Sequence, residues 1–208
     1  MDNTAGSLTQ LQKAVVIGSM LGDGYIRKMK GRRNAFLEIN HSFKQKEYVD
    51  WKYDVLKNLT KSKPKIRYGK ENRIAYRFYT KQLSELTEIM NKFYVGNIKV
   101  IPDIKLDPIA LAVWYMDDGG RRNDCHGMFL NTLSYSEQEQ IRLQKCLLKN
   151  FGIHTRIHWI TDGFRLYIPT EDSKKFSGLI GPYIIPSMIY KLPYNTVTTE
   201  SAGIWRRR

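Results

Sequence analysis

The chain has 208 residues, 42% of them hydrophobic, enough for one large domain or two small ones with a proper core. Its 34 Lys and Arg against 20 Asp and Glu give a formal charge of +14 and a pI near 9.7, which points to a polyanion, nucleic acid ahead of an anionic membrane. No apolar run reaches the roughly 18 residues of a membrane span, residues 1–10 lack a signal-peptide core, and Cys125 and Cys146 are too few and too far apart for a disulfide scaffold or zinc site, so an intracellular, reducing setting is expected.

In chain order, an apolar helix is expected from about Leu8 to Leu21, ending on Gly22-Asp23-Gly24. Tyr25 to Lys30 and Ala35 to His41 read as strands of a hairpin across Gly31-Arg32-Arg33-Asn34. Ser42 with Gln45 reads as a capping box opening a helix to about Leu59. Lys65–Gly69 and Ile74–Thr80 form a second hairpin, and a helix follows from about Gln82 to Phe93.

The same order then repeats. A second apolar helix, Pro108 to Asp118, ends on Asp117-Asp118-Gly119-Gly120. Arg121–Asp124 is a short strand or a loop, and Met128–Leu133 is a strand. Ser136 and Glu139 form a capping box for a helix to Phe151, stopped by Gly152. His154–Ile160 and Phe164–Pro169 pair across Thr161-Asp162-Gly163, where Asp-Gly is a hairpin signal, before a helix of about Glu171 to Leu179. Lys57-Asn58-Leu59 matches Lys149-Asn150-Phe151, and Tyr76-Arg77-Phe78-Tyr79 matches Phe164-Arg165-Leu166-Tyr167. The chain therefore reads as α+β: two αββαββα halves, 1–98 and 108–208, joined by a linker, 99–107.

The two helix ends are the odd feature. A helix C-terminus carries partial negative charge, so an acid there is unfavourable, and both helices are apolar nearly all round, as buried helices are. Gly24 and Gly119 explain a stop. They do not explain an acid placed there twice. Gly18 and Gly22 permit a close helix contact, while Val113 and Asp117 at the matching positions make it asymmetric.

The strands carry the charge. Period-two alternation puts one side-chain set on a core face and the other on an exposed face. In the first half the exposed set is expected to include Tyr25, Arg27, Lys28, Lys30, Arg32, Arg33 and Asn40, then Lys65, Arg67, Arg73, Arg77 and Tyr79. In the second it includes Arg121, Arg122, Asn131, Arg156, His158, Arg165 and Tyr167. Such a surface suits a duplex groove, where these groups reach phosphates and base edges.

These residues resemble the LAGLIDADG homing endonucleases, or meganucleases. The nine-residue motif maps onto Val16–Gly24 and Leu111–Gly119. The second copy matches better, and the first departs at Val16-Ile17 and at Gly22. Gly22–Arg27, Trp114–Gly120 and Met188–Pro193 strengthen the likeness, which covers about Gln12 to Thr199. Two motifs in one chain resemble the monomeric branch, which includes an intron-encoded enzyme of yeast mitochondria. The resemblance implies antiparallel sheets forming a DNA-binding saddle, halves packed across the paired motif helices, and cleavage of both strands of a long, pseudo-palindromic or asymmetric DNA site. It implies Mg²⁺ held by Asp23 and Asp118, with the backbone carbonyls of Gly22 and Asp117 beside them. Mn²⁺ is expected to substitute, and Ca²⁺ to bind without cleavage. Lys99 and Lys191, by motif position, are the basic residues expected near each scissile phosphate.

Other chemistries fit poorly. Neither a phosphate-binding Gly-x-x-x-x-Gly-Lys-Ser/Thr nor a His-Glu-x-x-His occurs, His154 and His158 fall in a strand without cysteine partners, and Pro102-Asp103-Ile104-Lys105 lacks the spacing of a PD-D/ExK nuclease. The alternatives are an RNA maturase acting on its host intron and a DNA-binding protein with a dead site. A bacterial or archaeal cytoplasm, or an organelle such as the mitochondrion, is the expected location. With no flanking splicing domain, a free-standing or intron-encoded enzyme is expected over an intein.

Overall fold

A computed structural model describes residues 8–161 and 163–194. Asp162 of the expected Asp-Gly turn lies outside them. The chain divides into two compact units, Met1–Lys99 and Val100–Arg208.

The first unit opens with α1 (Gln10–Leu21), capped by Thr9 and Gln12 in a reciprocal box. That box escaped the sequence reading, which began the helix at Leu8. β1 (Tyr25–Arg27), β2 (Phe36–Ser42), β3 (Lys65–Tyr68) and β4 (Ile74–Tyr79) form an antiparallel sheet in the order β1-β2-β4-β3. Each expected hairpin is present, and β2 and β4 pair between them. β1 stops at Arg27, so Lys28 and Lys30 lie in the loop, not in the strand. Ser42 does not open an α-helix: its hydroxyl accepts from the Lys44 amide of a 3₁₀ turn, Phe43–Gln45, and α2 (Lys46–Leu56) follows. α3 (Ser84–Phe93) leads into a short hairpin, β5 (Tyr94–Val95) and β6 (Ile98–Lys99), absent from the sequence reading. Lys99, expected at the start of the linker, thus closes this unit.

Apolar alternation builds the core as expected on β2, where Leu37 and Ile39 point inward beside Ile26 and Phe78, under Val49 and Leu56 of α2. Burying each such side chain stabilises the fold by about 1.5–3 kcal/mol. β3 departs from the pattern. All four of its residues are exposed, Tyr68 at 77% and Ile66 at 46%. It is an edge strand, and alternation there reflects pleat alone.

The second unit repeats the plan with α4 (Pro108–Asp118), β7 (Gly119–Arg121), β8 (Met128–Asn131), α5 (Glu137–Phe151), β9 (Arg156–Ile160), β10 (Gly163–Ile168) and α6 (Thr170–Ile180). Its sheet order, β7-β8-β10-β9, matches the first strand for strand. α4 is buried from Ala110 to Met116 and begins with Asp107 accepting from the Ala110 amide. The Ser136–Glu139 box caps α5, and Gly152, left-handed at φ 60°, ends it. Two 3₁₀ segments, Gly181–Tyr183 and Pro186–Lys191, close the described chain. Among the described residues no helix is long and apolar enough to cross a membrane.

Candidate active site and nucleic-acid surface

Each motif helix ends on a glycine for a steric reason. A Cβ on Gly24 would lie 2.6 Å from the Ser19 carbonyl oxygen, and one on Gly119 would lie 2.4 Å from that of Tyr115. Both carbonyls accept from the glycine amides, at 2.6 Å for Gly24. The backbone folds straight back over its own helix, which only a residue without Cβ permits. Neither glycine is left-handed, so the usual C-cap argument does not apply here.

The acid is the residue just before each of these glycines. Asp23 is exposed, with 51% of its side chain accessible, and Asp117 and Asp118 are half-buried. The cation that such a helix end needs comes from a lysine. Lys99 Nζ donates to the Gly22 carbonyl at 2.7 Å and to that of Gly24 at 3.3 Å. Lys191 Nζ donates to the Met116 carbonyl at 2.5 Å and to that of Asp117 at 3.3 Å. In both units the lysine named from sequence therefore meets the backbone carbonyl next to the acid, Gly22 or Asp117. An ammonium on these carbonyls offsets the negative helix end.

The lysines are supported differently. Lys99 pairs with Tyr94 across the β5–β6 hairpin. The Lys191 carbonyl accepts a 2.6 Å hydrogen bond from the Tyr115 hydroxyl of α4. Burial drives the Tyr115 phenol far above its ordinary value, so it stays a donor.

The first sheet's outward face carries Tyr25, Glu38 and Tyr79 in one cross-strand row and Asn40, Arg77 and Lys65 in the next, with Ser42, Ala75 and Arg67 beyond. Arg27 and Arg77 flank Glu38 at 3.7 and 3.6 Å. Arg73 stands just before β4, and Arg32 and Arg33 lie exposed in the β1–β2 loop. A cavity of about 600 Å³, bordered by Asp23, His41, Arg67 and Arg73, runs from the acid to the tip of the second hairpin.

The second sheet repeats this. Phe129, Tyr167 and Arg156 form one outward row, and Asn131, Arg165 and His158 the next. His158 stacks on Tyr167 with centroids 4.7 Å apart, and Arg165 lies 4.8 Å over Phe129. Burial and then Arg165, Arg122 and Arg156 hold the His158 imidazole below its ordinary value. Arg121 is exposed as expected, and two of the arginines have partners within the unit. Arg121 pairs with inward-facing Met128, and its guanidinium reaches the Leu192 carbonyl at 3.5 Å. Arg122 is ion-paired with Asp124, which offsets part of its charge.

His41 was missed. It shares the inward face of β2 with Leu37 and Ile39, and only 3% of its side chain is accessible, yet Nδ1 lies 3.5 Å from Asp23 Oδ2. The signal was present: a histidine at an inward position of an alternating strand. Lys52, fully buried, places Nζ 3.4 Å from His41 Nε2 and 4.4 Å over the Tyr48 ring. Nothing in the spacing of Lys52 marked it among so many lysines.

Residues 13–176 match the family model described as the LAGLIDADG DNA endonuclease family. The chain is 30% identical over 203 residues to the probable intron-encoded endonuclease 1 of Wickerhamomyces canadensis, spanning 91% of this chain and 87% of that one. It is 32% identical over 214 residues to the cytochrome b mRNA maturase bI2 of Saccharomyces cerevisiae, spanning 92% of this chain and 49% of that one. The solved structure of the homing endonuclease I-WcaI bound to its DNA recognition sequence matches with a TM-score of 0.83 at 27% identity, over 90% of this chain and 88% of that chain.

Proposed function

The chain belongs to the LAGLIDADG DNA endonuclease family, and we propose that it is a site-specific homing endonuclease that breaks both strands of a long DNA target in a divalent-metal-dependent hydrolysis. The observation that carries this is the duplicated corner: an acid at or just past the end of a buried helix, a lysine on the adjoining carbonyls, and an outward sheet of basic and aromatic residues alongside.

A carboxylate and a backbone carbonyl are hard oxygen donors of the kind Mg²⁺ takes with its remaining waters. Asp23 with the Gly22 carbonyl would hold one ion, and Asp118 with the Asp117 carbonyl another. Mn²⁺ substitutes, and Ca²⁺ binds without turnover. When bound, the ion lowers the pKa of water and offsets phosphate charge. The chain's own contribution is placement. Lys99 and Lys191 hold the carbonyls beside the acids and, with DNA bound, present an ammonium to the attacking water or to phosphorane charge. The outward rows bind the phosphates and base edges of duplex DNA. The enzyme acts as a monomer, with the halves near 1–98 and 108–208 each serving one strand, in the cell or organelle that holds its target.

The test is incubation of purified protein and Mg²⁺ with the DNA that flanks its gene, rejoined without the insertion. A double-strand cut that EDTA stops is expected; no cut at any metal concentration refutes the reading. The maturase relative favours a second activity on the same surface, intron RNA binding, and a splicing assay with and without protein separates the two.

A further inference from the structure

The structure assigns a positioning role to His41: we propose that buried Lys52 fixes the His41 imidazole as its Nδ1–H tautomer and that this N–H holds the Asp23 carboxylate, in the first half only. The inference rests on the proposed role of Asp23 in cleavage.

An ammonium has three donors and no acceptor. Facing His41 Nε2 at 3.4 Å, Lys52 requires a lone pair on that nitrogen. The imidazole proton must then sit on Nδ1, the atom 3.5 Å from Asp23 Oδ2. The partner of one ring nitrogen decides the state of the other. The face of Tyr48 lies 4.4 Å from the same Nζ, as suits a cation. Asp23 is half open to solvent while His41 and Lys52 are closed off, so the pair works on the carboxylate from the protein side.

The second half has a neutral counterpart. Asn131 pairs with Arg165 as Asn40 pairs with Arg77, so Thr132 follows where His41 does. Thr132 Oγ1 donates to Gln140 Oε1 at 2.6 Å, and Gln140 Nε2 donates to the Thr132 carbonyl at 2.7 Å. Aligned on Lys57-Asn58-Leu59 and Lys149-Asn150-Phe151, Gln140 and Gln144 stand where Tyr48 and Lys52 do. Gln144 turns to the Thr155 carbonyl at 2.6 Å. The second half therefore lacks the polarised imidazole.

Two readouts test this. Long-range ¹H–¹⁵N NMR of the metal-free protein should show neutral His41 protonated at Nδ1, changing to the Nε2–H form in Lys52→Met. An Nε2–H or imidazolium state in the wild type overturns the proposal whether or not the protein cuts DNA. On a supercoiled target plasmid, His41→Leu should slow the Asp23-dependent strand by about 10–100-fold, the usual effect of losing an outer-shell partner, so that nicked circles accumulate. His41→Asn, which keeps a donor near the Nδ1 position, should restore most of that rate. Equal slowing of both strands, or none, overturns it. A wild type that never cuts refutes the endonuclease reading and leaves the NMR result to decide the role of His41.

Discussion

In the first half, α1 stops at Leu21 and Asp23 hangs two residues beyond it, exposed beside a buried histidine. In the second half, α4 stays helical through Asp118, which is half-buried. The first lysine rides on a two-strand hairpin; the second sits at the end of a 3₁₀ segment tied to α4 by Tyr115. Yet both ammonium groups come to rest on the carbonyl just before the acid, Gly22 or Asp117, and differ only in the second carbonyl, Gly24 against Met116. The difference teaches that a helix-end acid, the carbonyl before it and a lysine can recur in both halves while their supports diverge. The hairpins diverge too: residues 65–77 hold five basic side chains and one acid, residues 156–168 two and one.

The largest expected effect breaks the halves apart at the acids. Asp23→Asn should abolish cutting of one strand, and Asp118→Asn that of the other, each beyond the ~10–100-fold cost of losing an outer-shell partner. Strand-labelled duplexes resolve this, and a single change that stops neither strand would remove that acid from the site. Next, Lys99→Met and Lys191→Met should each cost about 10²–10³-fold in the rate for one strand, as loss of a preorganised charge does. Single-turnover kinetics at saturating metal would separate that loss from weaker binding.

The hairpin difference predicts unequal electrostatics. Replacing Lys65, Arg67 and Arg73 with Gln should flatten the slope of log affinity against log salt by about 3, and replacing Arg156 and Arg165 by about 2, since each phosphate contact contributes about 0.9. A salt titration in Ca²⁺ measures both. Equal slopes would mean that the first hairpin's excess charge stays off the DNA. Tyr115→Phe has no counterpart in the first half. It should destabilise the protein by about 1–2 kcal/mol by leaving the Lys191 carbonyl without its donor, and slow only the Lys191-dependent strand.

The smallest effect is a cap. Burial alone would raise the Glu139 carboxyl, but amides of Ser136 and Ile101 and the Ser136 hydroxyl outweigh it and hold it below its ordinary value. Its contribution is therefore present above pH ~4.5 and lost as pH falls through the lowered folded value. Glu139→Gln keeps the capping-box acceptor and loses the charge at the helix N-terminus, so it should cost about 0.3–1 kcal/mol at pH 7 and progressively less in acid, by denaturant melts at each pH.

Much of the fold was legible because its signals are local. Pro108 and Gly152 bound α4 and α5, and the β8 to β10 register follows from alternating Met128, Leu130, Leu166 and Ile168. The β5–β6 hairpin was not, because two-residue strands leave no period to read. β3 was misread because alternation cannot tell a buried face from an edge. At the site, the duplication singled out the acids and the family resemblance supplied the lysines, whereas His41 and Lys52 required tertiary contact between β2 and α2 to acquire meaning.

The most direct test of the two-corner account is cleavage by the Asp23→Asn, Asp118→Asn double variant on the rejoined insertion site, with strand-resolved products and Mg²⁺. The account predicts tight, salt-sensitive binding with neither strand cut. Cleavage of either strand at a rate near wild type would contradict it.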